Sequence, residues 1–401
     1  MLVAHTNEGE RVNLAENQDL LTLKRLRKQT KFFCPECSEE VIMKVGTKRI
    51  PHYSHNKGSS CTESYERESE YHSTSKLILL NWLKEKGLNP VLEPYYPDIA
   101  QRPDIGVRYK GIDYAIEFQC SIISEELFAK RSRSYFQSGI IPIWILAGKN
   151  ISRIGNNKIS LSGFHYLFLR KTDSDNWVIP SFCPITKSFI NIHHIVPITV
   201  KNAFSTYQIK PLNKADLSTL FCPKFHGQIS KYEWYKELRK TKDFLPQTRG
   251  AFKNKFLREL YTHSLSPIYL PPEVGLPVFQ APLIETSPIQ WQSYLFMDVL
   301  KEENPFSLEK VISCFHKRVY KNDIKIRRLP LVCGTDASFA VKEYLNLLVN
   351  LKVLAKEGGL YKRSSPYSIH ESQSWLLRKE EAFYHEKGML IMEGIKQPGI
   401  N

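Results

Sequence analysis

No run of apolar residues in this 401-residue sequence approaches the roughly 18 needed to cross a bilayer as a helix, so no membrane-spanning helix is expected. The opening residues, MLVAHTNEGERVNLAENQ, lack a basic stretch followed by an apolar one, so no secretory signal is expected either. A reducing, cytoplasmic setting follows, and the eight cysteines are not read as a disulfide framework. Internal repeats and low-complexity tracts are missing. With 42% hydrophobic and 12% aromatic residues, the chain has enough apolar surface to build cores and is not a disordered one. Its length suggests two or three domains. Acidic residues are in short supply, 41 against 56 Lys and Arg, leaving a net charge of +15. Such an excess favours a polyanionic partner, nucleic acid or an anionic membrane surface; the plainer alternative is a solvated basic surface.

What is there begins with a knot of metal-binding residue types. Five cysteines are scattered singly (Cys120, Cys183, Cys222, Cys314, Cys333), but Cys34, Cys37 and Cys61 cluster, and His52 and His55 lie between them. Thiolate and imidazole in a tetrahedron suit Zn²⁺, and Cys-x-x-Cys is a turn-sized bite on one ion. Cys34 and Cys37 supply half of such a shell. Residues three apart in an extended run face opposite sides, so His52 and His55 bind together only if the chain turns there. The reading favoured is His55, with Cys61 or His52 as the fourth ligand; the alternative is two buried cysteines and histidines at the surface by chance. A module this small gains its stability mainly from its metal.

Around the knot, residues 1–31 read as short strands ending in the basic run LKRLRKQTK. A helix is expected from Tyr65 to Lys86, with Leu79, Leu80, Trp82 and Leu83 as its apolar stripe and Gly87 as its stop. Extended runs follow at NPVLEPYY, DIGVRY and IDYAIEFQC, then a helix over SEELFAKRSRSYFQSG with Ser124 as N-cap and Gly139 after its end. IIPIWILA is apolar throughout, as a buried parallel strand requires. Residues 65–147 thus read α-β-β-β-α-β, a mixed sheet. Further on, HYLFLR and WVIPSF alternate like strands, residues 215–263 look helical, basic and aromatic, and LPPEVGLPVFQAPLIETSP is a proline-rich connector. Three helices near 289–302, 307–319 and 336–351, with a hairpin turning at Gly358-Gly359, fit a winged-helix-like module over 288–364.

The sharpest chemistry lies in RPDIGVRYKGIDYAIEFQCS. If Lys110-Gly111 is a two-residue hairpin loop, Tyr109 faces Ile112, and pairing continued back along both strands sets Asp104 opposite Glu117. Opposed residues share a sheet face with Cβ atoms roughly 4.5–5.5 Å apart. Two unpaired carboxylates there would repel and raise each other's pKa, a conflict that Mg²⁺ or Mn²⁺ resolves. Gln119, two residues on, shares that face. This is the layout of the PD-(D/E)xK nucleases, with Gln119 in place of the usual lysine; an edge hairpin with solvated acids is the bland alternative. On the following helix Leu127, Phe128, Arg131 and Tyr135 share a face, which points Arg131 inward as either a phosphate clamp or an ordinary buried ion-pair partner. Glu68, His72 and Lys76 form an i, i+4, i+8 row on the preceding helix. It reads either as a surface salt-bridge row or as the place from which Glu70 or His72 completes the site.

Across residues 32–147 the sequence resembles the competence protein CoiA family. The resemblance is carried by Cys34-x-x-Cys37, PHYSH with Cys61 after it, ESEYHSTSK with His72 and Lys76, RPDI, AIEFQCS, and ISEELFAKRSRSYFQSGIIPIWIL with Arg131 and Tyr135. It implies a role in natural transformation, after DNA enters the cell and before or during recombination, and a restriction-endonuclease-like core; Gln119 agrees with the family's own variant of the motif. The expected architecture is a strand-rich zinc module (1–62), a mixed α/β nuclease-like core (63–150) and a mainly α-helical C-terminal region (151–401). The expected catalytic set is Asp104, Glu117, Gln119 and Arg131 with Glu70 and His72. Asp104 and Glu117 would hold Mg²⁺ or Mn²⁺, and Lys76, Lys130, Arg131 and Tyr135 are the candidates for DNA contact. Expected partners are single-stranded or branched DNA, the recombinase and other competence proteins. The alternative is a non-catalytic DNA-binding accessory factor that helps load the recombinase, for which the interleaved basic and aromatic residues of KYEWYKELRKTKDF suit single-strand stacking.

Overall fold

The computed structural model describes all residues except 17–18, 47–48, 57–58, 60, 62–68, 173–175, 226–228, 368–372 and 396–401. The chain opens with strands β1 (Val3–Thr6) and β2 (Arg11–Asn13), then helix α1 (Leu20–Gln29). Here the expectation of strands through residue 31 fails. The LKRLRKQ segment is helical because leucine, lysine, arginine and glutamine all favour helix and Asp19 caps it, its side chain accepting the Leu21 and Thr22 amides. Strands β3 (Phe32–Phe33), β4 (Glu40–Lys44) and β5 (His52–His55) complete a five-stranded sheet in the order β2-β1-β3-β4-β5. Val41 and Met43 alternate inward along β4 and pack with Met1, Phe32, Tyr53, Cys34 and Cys61.

The second unit follows the expected α-β-β-β-α-β order. Helix α2 (Glu70–Glu85) buries Leu79, Leu80, Trp82 and Leu83, and Gly87, with φ of 80°, turns the chain after it. Ser69 caps it by accepting the His72 amide; the expected start at Tyr65, and Glu68 of the charged row, lie outside the described residues. Strands β6 (Val91–Leu92), β7 (Ile105–Tyr109) and β8 (Ile112–Gln119) are antiparallel. Lys110 and Gly111 have φ of 51° and 78°, the doubly left-handed geometry of a two-residue turn, and that turn fixes the register from Tyr109↔Ile112 to Ile105↔Ile116. Helix α3 (Glu125–Gln137), capped by Ser124 and left through Gly139, crosses over to β9 (Ile141–Ala147), parallel to β8 and buried from Pro142 onward.

The same sheet carries on past residue 150. It adds β10 (Ser152–Arg153), β11 (Lys158–Ser160), helix α4 (Gly163–Leu167), β12 (Arg170–Lys171), β13 (Trp177–Ile179), β14 (Ser181–Cys183), β15 (Ser188–Pro197) and β16 (Asn202–Pro211). Strand β14 lies parallel to β9 and antiparallel to β15, joining these additions to the core in the order β10-β11-β16-β15-β14-β9-β8-β7-β6. HYLFLR is not a strand along its length. Ser162 and His165 close a capping box and start α4, and four consecutive residues, Tyr166 to Leu169, are buried, which no alternating strand would do. WVIPSF is two strands, separated at Pro180, which has no N–H to give to a ladder.

The remainder is largely helical: α5 (Leu217–Phe221), α6 (Lys231–Phe244), α7 (Lys255–Thr262) and α8 (Pro288–Leu295), the last continuing as a π turn over Phe296–Leu300. The proline-rich connector before α8 is buried rather than draped over the surface. Val274 and Leu276 are inaccessible, and Gln292 accepts the Gly275 and Leu276 amides at 2.7 and 2.9 Å. Gly275 has φ of 98° and packs where a Cβ would collide with Leu238, so only glycine fits. Strand β17 (Phe306–Ser307), helices α9 (Leu308–Tyr320) and α10 (Ser338–Asn350), and strands β18 (Leu354–Glu357) and β19 (Leu360–Arg363) follow, with sheet order β17-β19-β18 and the turn at Gly358-Gly359. Helix α11 (Gln373–Glu393) lies on α6, joined by Glu380 to the buried Lys242 at 2.5 Å and to Arg239 at 2.8 Å. No described helix is long and apolar enough to cross a membrane.

Candidate metal centre and carboxylate site

In the first sheet, Cys34 and Cys37 flank the turn that leaves β3. The Ser38 amide donates to the Cys34 carbonyl at 3.0 Å, and the Glu36 amide lies 3.5 Å from Cys34 Sγ. His55, at the end of β5, places Nε2 3.4 Å from Cys37 Sγ, and Cys61 folds back onto the group. The ligand atoms of Cys34, Cys37, His55 and Cys61 all lie within 4.8 Å of one another. Three sulfurs and one imidazole at that spacing are a donor set that fits Zn²⁺. Burial pushes the Cys34 and Cys61 thiols up and, with Arg102 adding to the effect, holds His55 below its ordinary value, in the neutral form a metal ligand needs. His52 is left out. Strand β5 is extended, so His52 and His55 point to opposite faces, and His52 Nδ1 lies 2.9 Å from the Ile50 carbonyl instead.

The second constellation lies across the β7–β8 hairpin. The observed register, extended by one pair, sets Asp104 opposite Glu117, as the turn demanded. The carboxylates are not unpaired, however, and this corrects the picture of two naked charges. Asp104 Oδ2 is 2.9 Å from His72 Nε2 and accepts the Phe118 amide at 2.8 Å, while Oδ1 meets Lys76 Nζ at 3.1 Å. Glu117 accepts from Arg131 and, at 2.6 Å, from the Tyr135 hydroxyl. Their electrostatics diverge accordingly. Burial alone would raise the Asp104 pKa, but the His72 and Lys76 cations, with the two hydrogen bonds, hold it well below the usual carboxylate range. Burial and the charge on Asp104 keep Glu117 above its ordinary value even though Arg131 and Tyr135 pull the other way.

The expected helix faces deliver most of their residues to this place. From α2, His72 and Lys76 point inward and Glu70 stands exposed in the first turn. Lys76 is 1% exposed and lies between Glu93, at 2.6 Å, and Asp104, so its charge is spent inside the fold. From α3, Arg131 and Tyr135 point inward and Lys130 outward. Tyr135 is fully buried. Arg131 forms the ion pair, donates to Gln101 at 3.1 Å and lies 5.2 Å over the Trp144 ring. Gln119 is on the Glu117 face, its amide donating to the Ser121 carbonyl at 3.0 Å. Two members escaped sequence reasoning. Glu93 is the lone acid in NPVLEPYY, and its signal was a charged residue directly after the apolar Val91-Leu92 pair; Arg102 immediately precedes the Pro-Asp pair.

Comparison with known families places three contiguous matches along the chain: the N-terminal domain of competence protein CoiA at residues 15–64, its nuclease-like domain at 68–225 and its C-terminal domain at 229–373. The competence protein CoiA of Bacillus subtilis (strain 168) is 29% identical over 365 residues, covering 89% of this chain and 96% of the relative. No solved structure matches.

Proposed function

Because the chain belongs to the competence protein CoiA family, we propose that it processes DNA during natural transformation, as a divalent-metal-dependent nuclease acting on incoming strands in the cytoplasm. The observation that carries this reading is the opposition of Asp104 and Glu117 on one face of a hairpin, with Gln119 beside them and Arg131 reaching in from α3. Two carboxylates fit Mg²⁺ or Mn²⁺, which keep several waters and take one or two carboxylates from a protein. The bound ion would supply charge neutralisation at the scissile phosphate and a more acidic water. Asp104, already ionised, is the ready ligand. Glu117 would be the second ligand, and Arg131, now paired with it, would be the group to meet the phosphate. Gln119 orients water by hydrogen bonding, without the charge a lysine would bring. His72 and Lys76 hold Asp104 in place. We read the unit as a restriction-endonuclease-like core running on through β16, followed by a winged-helix-like module built from α8 to β19. Helix α10 of that module is buried on most sides, so contact with DNA falls to other surfaces, among them the basic, aromatic α6.

A specific observation favours a second reading. Both carboxylates are ion-paired within the fold, which is also how a degenerate site would neutralise itself, leaving an accessory protein that binds single strands and passes them to the recombinase. Transformation frequency separates the two. In cells carrying Asp104→Asn or Glu117→Gln as the sole copy at normal abundance, the nuclease reading predicts a fall of about a hundredfold or more, the scale of losing a metal ligand's contribution. Wild-type frequency in both variants would overturn it in favour of the accessory role.

A further inference from the structure

The module with the Cys/His cluster does not hang beside the carboxylate site; it is built into it. Glu93 gathers three groups. Its carboxylate accepts the Leu2 amide, just before β1, at 2.9 and 3.0 Å and the Val3 amide, at the start of β1, at 3.1 Å, and receives Lys76 Nζ at 2.6 Å. Lys76 passes on to Asp104, and the Glu93 amide donates to the Asp104 carbonyl at 2.9 Å. Arg11 of β2 reaches the Leu92 carbonyl next door. A second route runs through Arg102. Its guanidinium meets Met1 Sδ at 2.7 Å, inside the apolar cluster that includes Cys34 and Cys61, and lies within electrostatic range of Cys34, Glu36, Cys61 and Asp104. Pro103 joins Arg102 to Asp104, and a residue before proline is confined to extended backbone. A shift of Arg102 is therefore passed along a stiff link.

We infer that the Cys/His module positions Asp104, through Arg102 on one side and through Glu93 and Lys76 on the other, so that an intact metal cluster is a condition for an ordered carboxylate site. With Zn²⁺ bound, three thiolates and a neutral imidazole leave the cluster one net negative charge, a counter-ion for Arg102. Without the ion nothing gathers the four ligands to one centre, and Arg102, packed on Met1 of the same apolar cluster, has reason to move with it. Arg102 and Glu93 are positioning residues: they act on Asp104, not on DNA. The inference rests on the metal-site reading of the cluster, and only its consequence for chemistry rests on the nuclease reading.

The Phe118 amide reports the position of Asp104 directly, since it donates to Oδ2. Hydrogen exchange is measured on the full chain for peptides covering β8 and, as a control, α10. Wild type is taken before and after zinc removal by a chelator, beside Arg102→Gln, Arg102→Lys and Glu93→Gln. Mn²⁺ affinity is measured on the same samples without DNA. Loss of one hydrogen bond to a charged partner predicts exchange in β8 faster by about tenfold, with α10 unchanged, on zinc removal and in Arg102→Gln and Glu93→Gln, and partial recovery in Arg102→Lys. Mn²⁺ binding should weaken in parallel. Unchanged β8 exchange after zinc removal and in Arg102→Gln overturns the inference. So does acceleration spread equally to α10, which would make the module a general support of the fold. Should wild type bind no Mn²⁺ at all, the nuclease reading falls while the exchange data still decide the coupling.

Discussion

The two central carboxylates differ in what ionisation does to them. Asp104 has a folded pKa below its ordinary value of 3.8, so its stabilising effect is fully present above that value and is lost as pH falls below it. Glu117 has a folded pKa above its ordinary 4.5, so its contribution is present below pH 4.5 and is lost as pH rises through the folded value. Urea unfolding without divalent metal should therefore give opposite trends. The deficit of Asp104→Asn against wild type grows as pH is raised from 3 toward 5 and then levels, reaching about 2–4 kcal/mol because Lys76 loses one of its two buried partners. That of Glu117→Gln shrinks as pH is raised from 4.5 toward neutrality. Parallel curves for the two variants would mean that their environments do not differ as the structure has them. The positions of both acids were legible in the sequence because a two-residue turn fixes register. Of their partners, Arg131 and His72 could be placed near them, but the buried Lys76–Glu93 pair could not. Lys76 and Glu93 meet only when α2 docks on the sheet, and nothing local in ESEYHSTSK tells a buried lysine from a surface one.

At the scale of elements, local chemistry was readable where it had a single solution: the Ser124 cap and Gly139 exit of α3, the apolar run of β9, the Gly358-Gly359 turn. It failed where two solutions compete. LKRLRKQ alternates no better than it turns, and a capping aspartate decided for helix; HYLFLR alternated on paper, but the Ser162 and His165 capping box decided for helix over its first residues. The Cys/His cluster was legible except for its fourth member, which depends on how β5 directs its histidines. Purified under reducing conditions, the protein should carry about one zinc per chain, from the four-ligand argument. Cys34→Ser should lose it, raising proteolytic sensitivity within residues 1–61 while the 70–147 unit stays folded by far-ultraviolet circular dichroism. A folded, zinc-free wild type would refute the structural metal.

At the scale of the molecule, the alternation of strands and helices gave a mixed α/β core, but not its extent. Strand β14 pairs with β9 across an insertion that holds β10 to β13, and β15 with β16 form long ladders that no local signal ties to the nuclease-like hairpin. The sequence marked a proline-rich connector but not its burial, which depends on Gln292, farther along the chain, supplying the hydrogen bonds that water would otherwise give. Charge behaves as a property of the whole. The excess of +15 belongs to the whole sequence, whereas the cations at the carboxylate site are consumed internally, so on the nuclease reading attraction to DNA and chemistry on it are separable. The measurement that tests the account most directly is cleavage of end-labelled single-stranded, double-stranded and branched DNA by the purified protein in Mg²⁺ or Mn²⁺, with chelator as the blank. Wild type should cut at least one of these substrates only when metal is present, and Asp104→Asn should bind the same DNA as well as wild type does and leave it intact. Contradiction would be DNA bound by wild type and left whole under every metal condition, or Asp104→Asn cutting at the wild-type rate.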